Sequence, residues 1–139
     1  ILGTDISTRM LEKAVAGVYE SRHVEAIAPS LRNKYLRPLG EGGARGAEAW
    51  TVGPELRAKV AFGRLNLNDG QLPFQSPLDV VFCRNVMIYF DRPTQEALVE
   101  KISGVLKPGG WLYTGMSESL LAVRHSLKTM APSIYRKAL

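Results

Sequence analysis

The chain has 139 residues, 45% of them hydrophobic and 22% charged, with a formal net charge of +5. That is enough for one globular domain with a sizeable core, and the positive charge is too mild and scattered to indicate a nucleic-acid partner. One cysteine, Cys83, excludes an internal disulfide and suits a reducing cytoplasm, and no apolar stretch approaches the roughly 20 residues of a membrane span.

Ile1 to Ile6 reads as a short strand that already looks like the inside of a sheet, so the chain is expected to be part of a longer protein. Ser7 or Thr8 then caps a helix whose apolar face is Met10, Leu11, Ala14, Val15 and Val18, with Gly17 near its C-terminal end. Asp5 therefore sits at a strand-to-helix junction. There it reads either as a capping carboxylate or as an acceptor for ribose hydroxyls, the role of an acidic residue ending the second strand of nucleoside-binding α/β folds. Ile27 to Leu36 is a second helix with Pro29 in its first turn. The loop from Pro38 to Gly46 is Gly-rich but lacks the spacing of a phosphate cradle. Ala49 to Val52 is a strand, and Tyr35 to about Val60 forms an excursion from the main sheet.

Val60 to Asn66 reads as a core strand leading into Leu67-Asn68-Asp69-Gly70. The run Val80 to Phe90 begins apolar and ends polar. Leu78 to Cys83 reads as a buried central strand, and polar residues just past such a strand lie where open α/β sheets bind ligands. Asp91 caps the next helix, with Leu98, Ile102, Val105 and Leu106 as its buried face. Lys107-Pro108-Gly109-Gly110 stops it, and Trp111 to Gly115 is the following strand. The tail reads as a hairpin turned at Ala131-Pro132-Ser133. Strand–helix, excursion, strand, strand–helix, strand and closing hairpin is an α/β order with a mostly parallel sheet.

Five segments together and in this order resemble the catalytic domain of the CheR-type chemotaxis receptor methyltransferases. They are Gly3-Thr4-Asp5-Ile6-Ser7, Asn66-Leu67, Cys83-Arg84-Asn85-Val86-Met87-Ile88-Tyr89-Phe90-Asp91, Leu106-Lys107-Pro108-Gly109-Gly110 and Ser117-Glu118-Ser119-Leu120. The resemblance runs over essentially the whole chain. It implies a class I S-adenosylmethionine-dependent methyltransferase fold, with a partial Rossmann-like sheet and a small antiparallel β excursion. Residues 1–139 would be a single partial catalytic domain, with a β-subdomain at 35–60. In some members of the family that subdomain docks a receptor peptide by strand addition.

The activity implied is transfer of a methyl group from S-adenosylmethionine to glutamate side chains of chemoreceptors, leaving S-adenosylhomocysteine, in a cytoplasmic monomer that uses no metal. By the same resemblance Asp5 binds the ribose with Ile6 beside the adenine, and Asn66 and Leu67 contact the adenine end. Arg84 and Asn85 line the cofactor pocket. Tyr89 faces the methyl group and the incoming glutamate, with Arg84 a second candidate for steering that acid.

Two departures stand out. The family's upstream Gly-rich loop and N-terminal helical domain are not in this sequence, and Met116 stands where the family usually has His. On the residues alone, Tyr89 also reads as a core aromatic, Arg84 as a partner of a nearby carboxylate, Cys83 as a buried strand residue, and Glu118 as a loop cap or an orienting group. A non-catalytic binding module is the alternative function. Methylation of amines or nucleic acid is disfavoured, because Arg84-Asn85-Val86-Met87 replaces the Asn-Pro-Pro-aromatic run typical of such enzymes.

Overall fold

A computed structural model describes residues 1–40 and 48–139. Gly42, Gly43 and Gly46 of the Gly-rich loop lie outside the described residues. The chain divides into two units, Ile1–Asn66 and Leu67–Leu139.

In the first unit, β1 (Leu2–Asp5) leads through Ser7 into α1 (Thr8–Ala16). The Ser7 hydroxyl accepts from the Met10 N–H at 3.4 Å, one of the donors a helix start leaves without a partner. Gly17 ends α1 in the left-handed region, φ 59°, with its N–H on the Lys13 carbonyl. The turn at Gly17 carries the chain into β2 (Val18–Glu20), followed by the short α2 (Ser21–Val24), α3 (Pro29–Tyr35), β3 (Leu36–Leu39), β4 (Ala49–Val52), α4 (Pro54–Arg57) and β5 (Ala61–Arg64).

β1 and β5 pair in parallel, Leu2 opposite Ala61 and Asp5 opposite Arg64. β2, β4 and β3 form an antiparallel sheet with β4 in the middle. The excursion thus supplies β3 and β4, while the third strand comes from Val18–Glu20, ahead of the span 35–60. Its register is set where the Val52 N–H donates to the Gly17 carbonyl at 2.9 Å. Val24, Leu36 and Trp50 make the core of this sheet, with Val52 packed against it and the Arg32 guanidinium 5.1 Å from the Trp50 ring centre.

Arg57 ties the unit together. Its guanidinium donates to the Val15 and Ala16 carbonyls at the C-terminal end of α1, and to the Val52 carbonyl and Thr51 hydroxyl of β4. A cation is favoured at that end of a helix, where the last carbonyls have no partner in the helix itself.

In the second unit, β6 (Leu78–Cys83) crosses through α5 (Arg92–Val105) to the parallel β7 (Leu106–Thr114). β9 (Ile134–Arg136) and β8 (Lys128–Ala131) then extend the sheet antiparallel in the order β6-β7-β9-β8. The Asp91 carboxylate caps α5 by accepting from the Thr94 N–H at 3.0 Å. At its other end the Lys137 ammonium donates to the Ser103 and Leu106 carbonyls, 2.7 and 2.8 Å away. Gly109 turns at φ 75°, and a Cβ on Gly110 would come within 2.9 Å of the Lys107 carbonyl oxygen. The helix nevertheless ends before this run, at Val105 with Leu106 already extended, so Lys107-Pro108-Gly109-Gly110 is not the helix stop expected of it but the first half of β7, and Leu106 belongs to that strand rather than to the helix face.

The core is Leu98, Val99, Ile102, Leu106, Leu112, Leu120 and Tyr135, each at most 2% exposed. Each such aliphatic side chain contributes about 1.5–3 kcal/mol by leaving water. Val99, not the half-buried Val105, completes the inner face of α5. The reading of Val80 to Phe82 as sheet interior is corrected. Val80 is 44% and Phe82 71% exposed; among the described residues β6 hydrogen-bonds within its sheet to β7 alone. Phe82 stacks on Tyr113 of β7, ring centres 4.9 Å apart.

Candidate functional site

The loop after β6 is built by a sharp change of backbone direction. Cys83 is the last strand residue. Asn85 follows at φ 58°, a conformation asparagine tolerates better than most residues. A single 3-10 turn, Met87–Tyr89, then closes with the Tyr89 N–H on the Val86 carbonyl and the Phe90 N–H on the Met87 carbonyl. This geometry turns successive backbone N–H groups toward one point, forming an anion-binding nest.

The point is occupied by the Glu118 carboxylate. One oxygen, Oε2, accepts from the Asn85 and Gly115 N–H groups at 2.6 and 2.7 Å. The other, Oε1, accepts from Val86 and Met87 at 2.7 Å each and from Ile88 at 3.4 Å. Glu118 is 5% exposed. Burial pushes its carboxyl up, but the N–H groups of Asn85, Gly115, Val86 and Met87 outweigh that and hold it below its ordinary value. Its own backbone is fixed as well: the Thr114 hydroxyl donates to its carbonyl at 3.0 Å, and its N–H donates to the Gly115 carbonyl. Gly115 has to be glycine here, since a Cβ would collide with Oε2 of Glu118 and lie 3.0 Å from Oδ1 of Asn85.

A second clamp comes from α5. The Gln95 amide donates to the Met87 and Phe90 carbonyls at 2.9 and 3.1 Å. Met87, 1% exposed, roots the loop in the core, while Arg84 and Tyr89 are exposed, Tyr89 at 80%. Of the two readings of Glu118, loop cap or orienting group, the first is realised. Tyr89 is not a core aromatic. Cys83 is buried, and its thiol is pushed up to about 11 by burial and then by the Glu118 charge. It is protonated at neutral pH and is no nucleophile.

The remaining predicted residues divide between the units. In the first, the Asp5 Oδ1 accepts from the Ser7 N–H at 2.8 Å, the local turn expected of a capping Asp. The Leu65 N–H donates to the Asp5 carbonyl at 3.0 Å, so Asn66 follows at the same end of the β1–β5 pair as Asp5 and Ile6. The Arg64 side chain donates to the Ile6 carbonyl, and the Ile6 side chain is 54% exposed.

In the second unit Leu67 borders a cleft of about 380 Å3 lined also by Asn68, Pro93, Thr94, Ala97 and Lys101. That lies within the roughly 300–1,000 Å3 of small-molecule sites. The Lys101 ammonium fixes this edge by donating to the Leu67 and Asp69 carbonyls at 2.5 and 2.7 Å. Beside Glu118, a cavity of about 60 Å3 has room for water only. Arg84, Asn85 and Tyr89 share one loop. Asp5, Ile6 and Asn66 share one strand end. Among the described residues no cluster of three or more His, Cys, Asp or Glu forms a metal site.

Sequence reasoning did not find Gln95, Lys101 or Arg57. All three act through long side chains on backbone carbonyls, which leave no spacing signal. For Glu118 a signal existed in the Gly-x-x-Glu spacing directly after a strand.

Comparison with known proteins bears on the same residues. The profile of the CheR methyltransferase SAM-binding domain matches residues 1–135. The chain is 37% identical over 135 residues to a chemotaxis protein methyltransferase of Klebsiella aerogenes, covering 97% of this chain and 46% of that protein. It is 35% identical over 139 residues to chemotaxis protein methyltransferase 2 of Pseudomonas aeruginosa, covering 99% of this chain and 48% of that protein. A probable biofilm formation methyltransferase of the same organism is 35% identical over 125 residues, 89% of this chain and 28% of that protein. The chain spans about half the length of the chemotaxis methyltransferases it matches. With its strand order, its loop after β6 and this match along nearly its whole length, the chain belongs to the CheR methyltransferase family, as part of the S-adenosylmethionine-binding domain.

Proposed function

We propose that the protein containing this chain methylates glutamate side chains in the cytoplasmic region of chemoreceptors, acting as a cytoplasmic monomer. The observation that carries the reading is the loop after β6, rigid in its backbone yet presenting the exposed Arg84 and Tyr89, in a chain of this family. The residues present fit S-adenosylmethionine. Asp5 is a carboxylate at a strand end, suited to ribose hydroxyls. Ile6 is an exposed apolar neighbour for a purine face, and Leu67 edges a cleft of nucleoside size.

In this reading Asp5 holds the ribose, and Ile6, Asn66 and Leu67 hold the adenine. Arg84 and Asn85 line the cofactor pocket. When bound, the cofactor supplies an electrophilic methyl group on a sulfonium. The substrate glutamate needs no general base, because a carboxyl of unperturbed pKa about 4.3 is already ionised at neutral pH. Arg84 attracts the acidic side chain. Tyr89 would donate its phenolic hydrogen to one carboxylate oxygen and leave the other free as the nucleophile. Orientation of this kind lowers a barrier by as much as roughly 7–11 kcal/mol. Clamping the charges harder would not help in proportion, since cation and anion neutralise each other as they react.

The test is to incubate the complete protein with methyl-labelled S-adenosylmethionine and a chemoreceptor cytoplasmic fragment. Label released as methanol by mild alkali is the expected result, because glutamyl esters hydrolyse and methylated amines do not. Alkali-stable label would overturn the reading.

A further inference from the structure

Glu118 does more than cap a loop: we infer that it is the positioning residue for methyl transfer, setting the path of the backbone between Arg84 and Tyr89. The inference deepens the function proposed above and rests on it. Four of the five N–H groups on this carboxylate belong to the consecutive residues Asn85, Val86, Met87 and Ile88. These are all the residues between Arg84 and Tyr89, so the carboxylate holds the backbone from one of the two exposed side chains to the other.

The amides turn inward to the buried carboxylate while the Arg84 and Tyr89 side chains stay exposed. A charged acceptor is needed because one atom, Oε1, takes three of the donors, and charge-assisted bonds are the stronger and shorter class. The neighbouring glycine is needed for the same reason, since any side chain at Gly115 displaces Oε2. Gln95 holds the far end of the loop through the Met87 and Phe90 carbonyls, so the segment is fixed from two directions. An amide in place of the carboxylate keeps the volume but aims two hydrogens at N–H donors, and the loop must shift to relieve them. A misplacement of about 1 Å in such a scaffold can cost on the order of 100-fold in rate.

The experiment uses the complete protein as parent, Glu118→Gln, Glu118→Asp and Gly115→Ala, with Glu100→Gln on the exposed face of α5 as control. Four quantities are measured: thermal melting, hydrogen exchange of the amides of residues 85–88 and 115, affinity for S-adenosylhomocysteine, and kcat with KM for the receptor fragment. Glu118→Gln is expected to melt cooperatively and to lose slow exchange at those amides. It should bind S-adenosylhomocysteine about tenfold more weakly and lose about 100-fold in kcat. Its KM for receptor should stay within about threefold of the parent. Glu118→Asp, which keeps the charge, should recover at least part of both losses.

A folded Glu118→Gln protein with kcat and cofactor affinity within threefold of the parent overturns the inference. So does a loss matching only the unfolded fraction, without rescue by Glu118→Asp. If Glu118→Gln does not fold, Gly115→Ala decides, since it disturbs the same carboxylate from outside: unchanged kcat and exchange there overturn the inference. A parent that binds S-adenosylhomocysteine but transfers no methyl group sinks the proposed function alone. The exchange and binding losses in Glu118→Gln would then still report on the positioning of the loop.

Discussion

Tyr89→Phe removes one oxygen from the most exposed aromatic of the loop. The ring is 80% exposed and the backbone N–H that closes the 3-10 turn is untouched, so the folded protein loses no packing and no internal hydrogen bond of that turn. Stability should change by no more than about 0.5 kcal/mol, the usual range for surface substitutions. Activity should change far more. A hydrogen bond to a charged group contributes about 1.5–3 kcal/mol. At about 1.36 kcal/mol per tenfold, kcat/KM for the receptor fragment should fall about 10- to 150-fold. The assay is the initial rate of alkali-labile methyl incorporation across receptor concentrations, with thermal melting in parallel. A fall mainly in kcat places the bond in the transition state, and a rise mainly in KM places it equally in the bound ground state. A variant with kcat/KM within twofold of the parent refutes the role of the hydroxyl. A drop of many degrees in Tm refutes the exposed placement.

Lys101→Met keeps the stem but releases the Leu67 and Asp69 carbonyls, and should weaken S-adenosylhomocysteine binding about tenfold by calorimetry, roughly 1.4 kcal/mol; unchanged affinity separates this edge from the cofactor. Tyr135→Phe leaves the buried Leu120 N–H without the hydroxyl that accepts it at 2.9 Å, at a cost of about 1–3 kcal/mol, read as a lower urea midpoint. The folded-state pKa of Glu118 lies below its ordinary 4.5, so its contribution to stability is complete above that value and is lost as pH falls through the lower folded value. The urea midpoint should therefore be insensitive to Glu118 from about pH 5 upward and should fall below about pH 4.5, and Glu118→Gln should flatten that acid limb.

Where structure is set by neighbours in sequence, the sequence was informative. Ser7 and Gly17 bound α1, Asp91 caps α5, and Leu78 to Cys83 spans β6 as read. The closing hairpin turns at Ala131-Pro132-Ser133, although its left-handed residue is Ser133, held by a hydroxyl bond to the Gly115 carbonyl that no local rule suggests. Partners far apart in the chain were not legible. Four of the five amides on Glu118 lie 30 to 33 residues upstream, and β2 finds β4 across two helices and β3. The exposure of Phe82 escaped for a related reason: an apolar run states that a strand is apolar, not what packs on it. The loop after β6 was recognised from its residue types, but its shape depends on a carboxylate supplied by the next strand's end.

A nest of amides that already holds its own anion has no room for another. On the function proposed above the substrate is itself a carboxylate, and an empty nest in that loop would be an adventitious trap, tightest for whatever acid is most abundant. With Glu118 seated in it, acetate, sulfate or free glutamate would first have to displace a tethered carboxylate, and a substrate carboxylate would be left to the exposed groups of the loop.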